Sequence, residues 1–160
     1  MEFYPLGTFP EQAPAWFSDV MAPMGADASR IPVWHLGTAE DLSVPAAFLL
    51  RMPPGYVLFR HGHPCKRFEV VVQGTLEIGD GRIAGPGDTF TAEPGELYGP
   101  HTAGPEGCTT FEIFSALEGM FRLVYEDADG SVREADIRKG EIPPDYVPLP
   151  TDGDARLEPD

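Results

Sequence analysis

From Ile31 onward the chain is written in short apolar or alternating runs: IPVWHL, AAFLLRM, YVLFRHGH, FEVVVQ, TLEIG, GRIAG, DTFTAE, TTFEIFS and MFRLVYED. Each run is too short for a helix, and glycine or proline interrupts the chain between most of them, which is the pattern of half-buried strands rather than of helices. GDGR (Gly79 to Arg82) and DADGS (Asp127 to Ser131) carry the residues that tight turns between antiparallel strands demand. The spacers lack the length and the amphipathic period of crossover helices, so a parallel α/β sheet is excluded. The pattern predicts an all-β sandwich or barrel over residues 31–140. Gly55 and Gly74 should bracket an antiparallel pair, with Gly74 making the tight turn into TLEIG. Before this region, residues 1–30 are rich in proline, alanine and aromatics; AWFSDVMAPM predicts one short helix ended by Pro23, in an arm that packs Trp16 and Phe17 onto the barrel. After it, residues 141–160 are rich in proline and acidic residues and predict an extended tail, partly disordered past Thr151.

Composition narrows the partners. The 160 residues include 26 acidic and 11 basic side chains, a formal charge of −15, which argues against nucleic acid and anionic membranes. No apolar run approaches the roughly 18 residues of a membrane span. The first residues show no basic stretch followed by a long apolar one, so the expected compartment is the cytoplasm. The two cysteines, Cys65 and Cys108, are too few for a disulfide framework and read as reduced thiols.

The candidate chemistry lies in GYVLFRHGHPCKRFEVVVQG. In a strand, His61 and His63 share a face about 6.5–7 Å apart, a spacing from which two imidazoles can converge on one metal ion. Two solvated histidines on an edge strand would look the same. Arg67 and Glu69 also share a face, by the same parity. Further on, YGPHT places Tyr98 and His101 around Gly99 and Pro100, where a kink can turn both side chains inward. His35 reads as an ordinary strand histidine outside the site.

These residues resemble the two sequence motifs of the cupin superfamily. The first motif is a glycine, five residues, His-x-His, three or four residues, a glutamate, six residues and a glycine; Gly55, His61, His63 and Gly74 fit it, with Arg67 in the glutamate slot. In the second, Gly87 and Gly95 take the glycine slots, Tyr98 the histidine slot and Thr102 the asparagine slot. The resemblance spans roughly residues 45–115. It implies a double-stranded β-helix, the RmlC-like jelly-roll barrel, with a divalent metal ion (Fe, Mn, Ni or Zn) in its mouth. On this reading His61, His63 and His101 are ligands, unless His101 only supports a ligand or faces the substrate; Glu69 replaces the missing glutamate if a bulge after Pro64 brings it round, and otherwise forms a salt bridge with Arg67; and Arg67 and Tyr98 face the substrate. The implied function is a metal-binding oxidoreductase, dioxygenase-like, acting on a small organic substrate; the alternative is a module without turnover that binds or senses a small acidic metabolite. A homodimer is expected, with the aromatic N-terminal segment at its contact.

Overall fold

The computed structural model describes residues 15–25, 33–35, 37 and 40–149. The arm's residues 1–14 and the tail from 150 onward lie outside them. The described chain is mostly antiparallel strand, in keeping with the pattern of short runs. In order, the elements are helix α1 (Ala15–Met21), a 3₁₀ turn through Met24, strands β1 (Val33–His35), β2 (Ala46–Met52), β3 (Val57–Leu58), β4 (Arg67–Glu77), β5 (Ile83–Ala84), β6 (Thr89–Ala92) and β7 (His101–Phe114), helix α2 (Leu117–Met120), and strands β8 (Arg122–Glu126) and β9 (Val132–Asp136).

The backbone of the molecule is the ribbon formed by the two longest strands, β4 and β7. Beyond β7 lie β2 and β3; beyond β4 lie β6 and β5. Parity then assigns the faces. Along β4, Arg67, Glu69 and Val71 are buried, while Phe68 and Val72 between and beyond them are exposed. Directly opposite on β7, Glu112 faces Glu69 and Phe114 faces Arg67.

Two expectations are corrected here. Gly74 makes no turn: FEVVVQ and TLEIG are one continuous strand, and Gly74 sits at an irregularity within it, at φ 71°. A Cβ there would lie 2.1 Å from the Gly107 carbonyl oxygen, so the residue is needed for a bulge and a close approach rather than for a hairpin. Nor does the segment after Gly55 pair with β4; β3 pairs with β7. The turns at GDGR and DADGS are present, closed by Ile78 N–H to Arg82 O at 3.0 Å and Asp127 N–H to Ser131 O at 2.8 Å. The run VREAD, which the pattern did not single out, forms β9 and completes a hairpin with β8.

A second, smaller layer lies against the ribbon. Gly62 exchanges backbone hydrogen bonds with Val124 of β8 (2.7 and 2.8 Å), and His61 exchanges them with Tyr98 (3.1 and 2.9 Å). The sequence His61–His63 thus runs between the β8–β9 hairpin and residues 95–98. Among the described residues the ladders do not run continuously round into a closed barrel. Phe17, Phe59, Phe114, Leu117, Phe121, Leu123 and Ile137 form the larger core between the layers and α1. Phe17 is buried, with its ring 6.0 Å from that of Phe121, as an arm anchored by its aromatics requires. Pro23 does not end the turn at once; it sits inside the 3₁₀ extension, whose first positions tolerate a residue without an N–H.

Candidate functional site

The site lies between the two layers. Its lower half comes from β4 and β7. Arg67, Glu69 and Glu112 are 1 %, 1 % and 3 % exposed, so all three charges are buried. The Arg67 guanidinium donates from Nε to Glu112 at 2.5 Å and from Nη2 to Glu69. Burial alone would favour loss of its proton, but the adjacent Glu112 carboxylate outweighs this and holds Arg67 charged, above its ordinary value. The guanidinium carbon also lies 4.4 Å from the centre of the Tyr98 ring and 5.7 Å from that of Phe90, both cation–π distances. Such a cluster is held because each buried charge has a partner; removing one partner leaves another uncompensated.

The upper half comes from the strand-like segment around Gly62. A Cβ on Gly62 would lie 2.3 Å from the Glu96 carbonyl oxygen, so only glycine lets residues 95–97 approach closely enough to pair with the histidine segment. His61 Nδ1 donates to the Phe59 carbonyl at 2.7 Å and His63 Nδ1 to the Gly119 carbonyl at 3.0 Å. Both Nε2 atoms therefore carry the lone pair. That of His61 accepts a long hydrogen bond from the Tyr98 hydroxyl at 3.4 Å. The rings of His61 and His63 are 5.4 Å apart, and Phe59 stacks on His61 at 4.7 Å. Burial lowers the pKa of His61 to about 4 and that of His63 well below its ordinary value, with the Arg67 charge adding to both. Burial raises the Tyr98 phenol above its ordinary value. At neutral pH the site thus holds neutral imidazoles and a neutral phenol above a charged cluster.

Between the halves opens a cavity that is partly open to solvent. Its walls are apolar: Phe48 and Leu50 from β2, Phe59, Leu123, and from the chain's outer segments Phe17, Met24, Tyr146 and Leu149. The polar groups on it are His61, His63 and Glu112, with Tyr56 and Tyr146. The two tyrosine hydroxyls are already engaged, donating at 2.6 Å to the carbonyls of Val147 and Met24 respectively.

The structure thus gathers His61, His63, Arg67, Glu69 and Tyr98 around one centre, and it treats the four expected metal ligands differently. Among the described residues no group of three or more His, Cys, Asp or Glu side chains is arranged to hold a metal ion. Glu69 does not swing round: the irregularities of β4 fall after Val71, and its carboxylate is committed to Arg67. His101 is turned inward, as the kink predicts, but its ring packs between Phe90 and Tyr98, and Tyr98 lies on both its flank and that of His61. Its Nδ1 is buried without a partner, and burial lowers its pKa to about 3. A divalent ion therefore does not fit these residues as they stand: two imidazoles are oriented for it, but the carboxylates face a guanidinium. Cys65 does not line the cavity; both cysteines are buried free thiols in the cores, and burial raises both pKa values, that of Cys108 to about 11. His35 stands outside the site on β1, bonded through Nε2 to the Asp41 carbonyl at 2.8 Å.

Glu112 was not foreseen. Its signal was present: in CTTFEIF a lone carboxylate sits in an apolar run, in phase with Cys108 and Phe114, where parity places it inside. Tyr56, Tyr146 and Leu149 carried no such signal, since they reach the cavity only through the tertiary course of the chain.

No family model matches the sequence, and no curated protein matches it. By chain course, it is similar to an RmlC-like cupin protein from Ralstonia eutropha JMP134, at 17 % identity and a TM-score of 0.46 over 68 % of this chain and 75 % of that one. It is similar to KdgF from Halomonas sp. at 21 % identity and a TM-score of 0.43 over 56 % of this chain and 83 % of that one. It is also similar to an oxalate oxidase in complex with the substrate analogue glycolate, at 18 % identity and a TM-score of 0.42, over 47 % of this chain and 43 % of that one. No activity passes from them to this chain. Among the described residues no helix is long and apolar enough to cross a membrane.

Proposed function

We propose that this chain is a cupin-type protein whose pocket binds a compact, neutral organic molecule, apolar over most of its surface and carrying a hydrogen-bond donor such as a phenol or an enol. The observation that carries the reading is the composition of the cavity wall: aromatic and aliphatic side chains throughout, with the polar atoms of His61, His63 and Glu112 beside the Arg67 cluster. A cavity so lined suits a small ligand that is oriented by a few polar contacts. The open acceptors are His63, neutral with its lone pair on Nε2, and the Glu112 oxygen that Arg67 does not engage, while the His61 lone pair already faces the Tyr98 hydroxyl, so a donor on the ligand is what they select.

An acidic metabolite suits the pocket less well. The Arg67 guanidinium already faces two carboxylates, and the formal charge of the cluster is one negative, +1 from Arg67 and −2 from Glu69 and Glu112. A carboxylate ligand would meet Glu112 before it met an unshared cation. Metal-dependent oxidation, the reading the motifs imply, requires an ion that the present side-chain arrangement does not accommodate.

Thermal-shift and calorimetric titration with neutral phenols and β-diketones, against benzoate and other carboxylates, tests the proposal. The neutral donors are expected to stabilise the protein in a concentration-dependent way and to lose that effect in His63→Ala. Equal binding of carboxylates, or binding unaffected in the His61→Ala/His63→Ala double variant, would overturn it.

A further inference from the structure

One wall of the cavity is attached to the fold differently from the rest. Strands and the two helices supply most of the lining, but Tyr146 and Leu149 come from residues 141–149, which form neither helix nor strand. Pro143, Pro144 and Pro148 have no N–H to give to a ladder. Among the described residues the segment makes one backbone-to-backbone bond to the rest of the fold, at its very start, from the Glu141 N–H to the Asp136 carbonyl at 3.3 Å. The Tyr146 N–H closes a turn onto the Pro143 carbonyl within the segment itself, at 3.1 Å. Beyond Glu141 two phenol hydroxyls pin the chain: that of Tyr146 donates to the Met24 carbonyl at 2.6 Å, and that of Tyr56 donates to the Val147 carbonyl at 2.6 Å. The Tyr146 ring stands edge-on to Phe59 at 5.9 Å, while Asp145, Val147 and Pro148 are exposed on the outside.

We infer that residues 143–149 are a movable strap over the pocket: it opens by releasing the hydroxyl bonds of Tyr56 and Tyr146 while the sheets stay folded, and the ligand enters and leaves beneath it. The physical reason is the kind of attachment. A strand inside a sheet leaves only by breaking a whole ladder of bonds. This segment leaves by breaking two and by drawing the Tyr146 and Leu149 side chains out of the cavity wall. Segments with few backbone bonds and an exposed outer side open at free energies well below that of global unfolding. A molecule in the pocket lies against Tyr146 and Leu149, so it favours the closed form and holds the strap shut. That last step rests on the small-molecule pocket proposed above, whereas the opening of the strap does not.

Limited digestion with chymotrypsin tests it, because cleavage after residue 146 needs that ring in the protease's hydrophobic slot and therefore out of the fold. Phenylalanine enters the same slot, so Tyr146→Phe keeps the cleavage site. In the native protein, cleavage after Tyr146, identified by mass, is expected at a rate that hardly changes with urea well below the unfolding midpoint, as local opening requires. Tyr56→Phe and Tyr146→Phe are each expected to speed it by about 5-fold, the worth of one hydroxyl bond. 4-Ethylphenol, at a concentration that saturates its calorimetric titration, is expected to slow the cleavage. In stopped-flow fluorescence it should both bind to and leave the double variant at least about 5-fold faster than the native protein. A cleavage rate that rises with urea as steeply as global unfolding, or one that the two substitutions leave unchanged, would overturn the strap. 4-Ethylphenol that binds without slowing the cleavage, or that exchanges no faster in the double variant, would overturn its role as the pocket's door. Should no neutral phenol bind, the proposed ligand class fails and the cleavage rates alone decide the strap.

Discussion

At the scale of single residues, the site is dominated by groups kept in one protonation state by burial. An unfolded histidine takes up a proton near pH 6.5. In the fold, burial keeps His61 neutral down to about pH 4 and His101 down to about pH 3, and His63 is lowered as well. Between those limits the unfolded chain binds more protons than the folded one. Stability is therefore full above pH 6.5 and falls as the pH drops toward 4, by roughly 1.4 kcal/mol per pH unit for each such histidine. Asp136, held low by its hydrogen bonds to Arg138, contributes only further down, below its ordinary carboxylate value. Urea unfolding at pH 7.5, 6 and 5 should show the loss, and His101→Phe should flatten it by about one proton's worth. An unfolding free energy equal at pH 7.5 and pH 5 would contradict the burial of these rings.

At the scale of elements, the placement of His61 and His63 depends on the residue between them. Gly62→Ala would put a Cβ 2.3 Å from the Glu96 carbonyl, backbone against backbone, where neither side can yield cheaply. The expected cost is about 1–3 kcal/mol, through overpacking and the loss of the pairing with residues 95–98. Ligand binding should weaken with it, and a crystal structure of the variant should show the histidine segment displaced. An unchanged melting temperature would mean that the two segments are not held this close. The periodicity in the sequence revealed that Arg67 and Glu69 share a face and that Tyr98 and His101 both turn in, because strand parity and a glycine–proline kink are local rules. It did not reveal that Gly74 is a mid-strand irregularity or that Gly62 is a contact, since each depends on a carbonyl from a distant strand. The partner of Arg67 lay beyond such rules for a related reason: spacing places Arg67 where a glutamate is expected, but only the packing of β4 on β7 brings Glu112 within reach of the guanidinium.

At the scale of the whole molecule, the large core joins α1, the ribbon and the β8–β9 hairpin through one aromatic cluster. Phe17→Ala removes a ring that is 1 % exposed and should cost about 3–5 kcal/mol. It should also enlarge the cavity on the side where Phe17 forms its wall. Thermal denaturation measures the first effect and ligand affinity the second; a melting temperature within a degree of the native value would detach the arm from the core. The expected homodimer belongs to this scale. Its expected contact is the aromatic N-terminal segment. Multi-angle light scattering of the full chain is expected to give twice the chain mass, and a monomer at all concentrations would refute it.

The cavity wall draws on residues as far apart as Phe17 and Leu149, and Tyr146 fastens the two outer segments together through the Met24 carbonyl. This sets an order on the making of the protein. The strands of the ribbon are complete once Phe114 has been synthesised, but the pocket is still missing the wall formed by Ile137, Tyr146 and Leu149. The pocket is thus complete only when the chain has been made as far as Leu149, and a molecule that binds it can stabilise the finished fold but not guide its early stages.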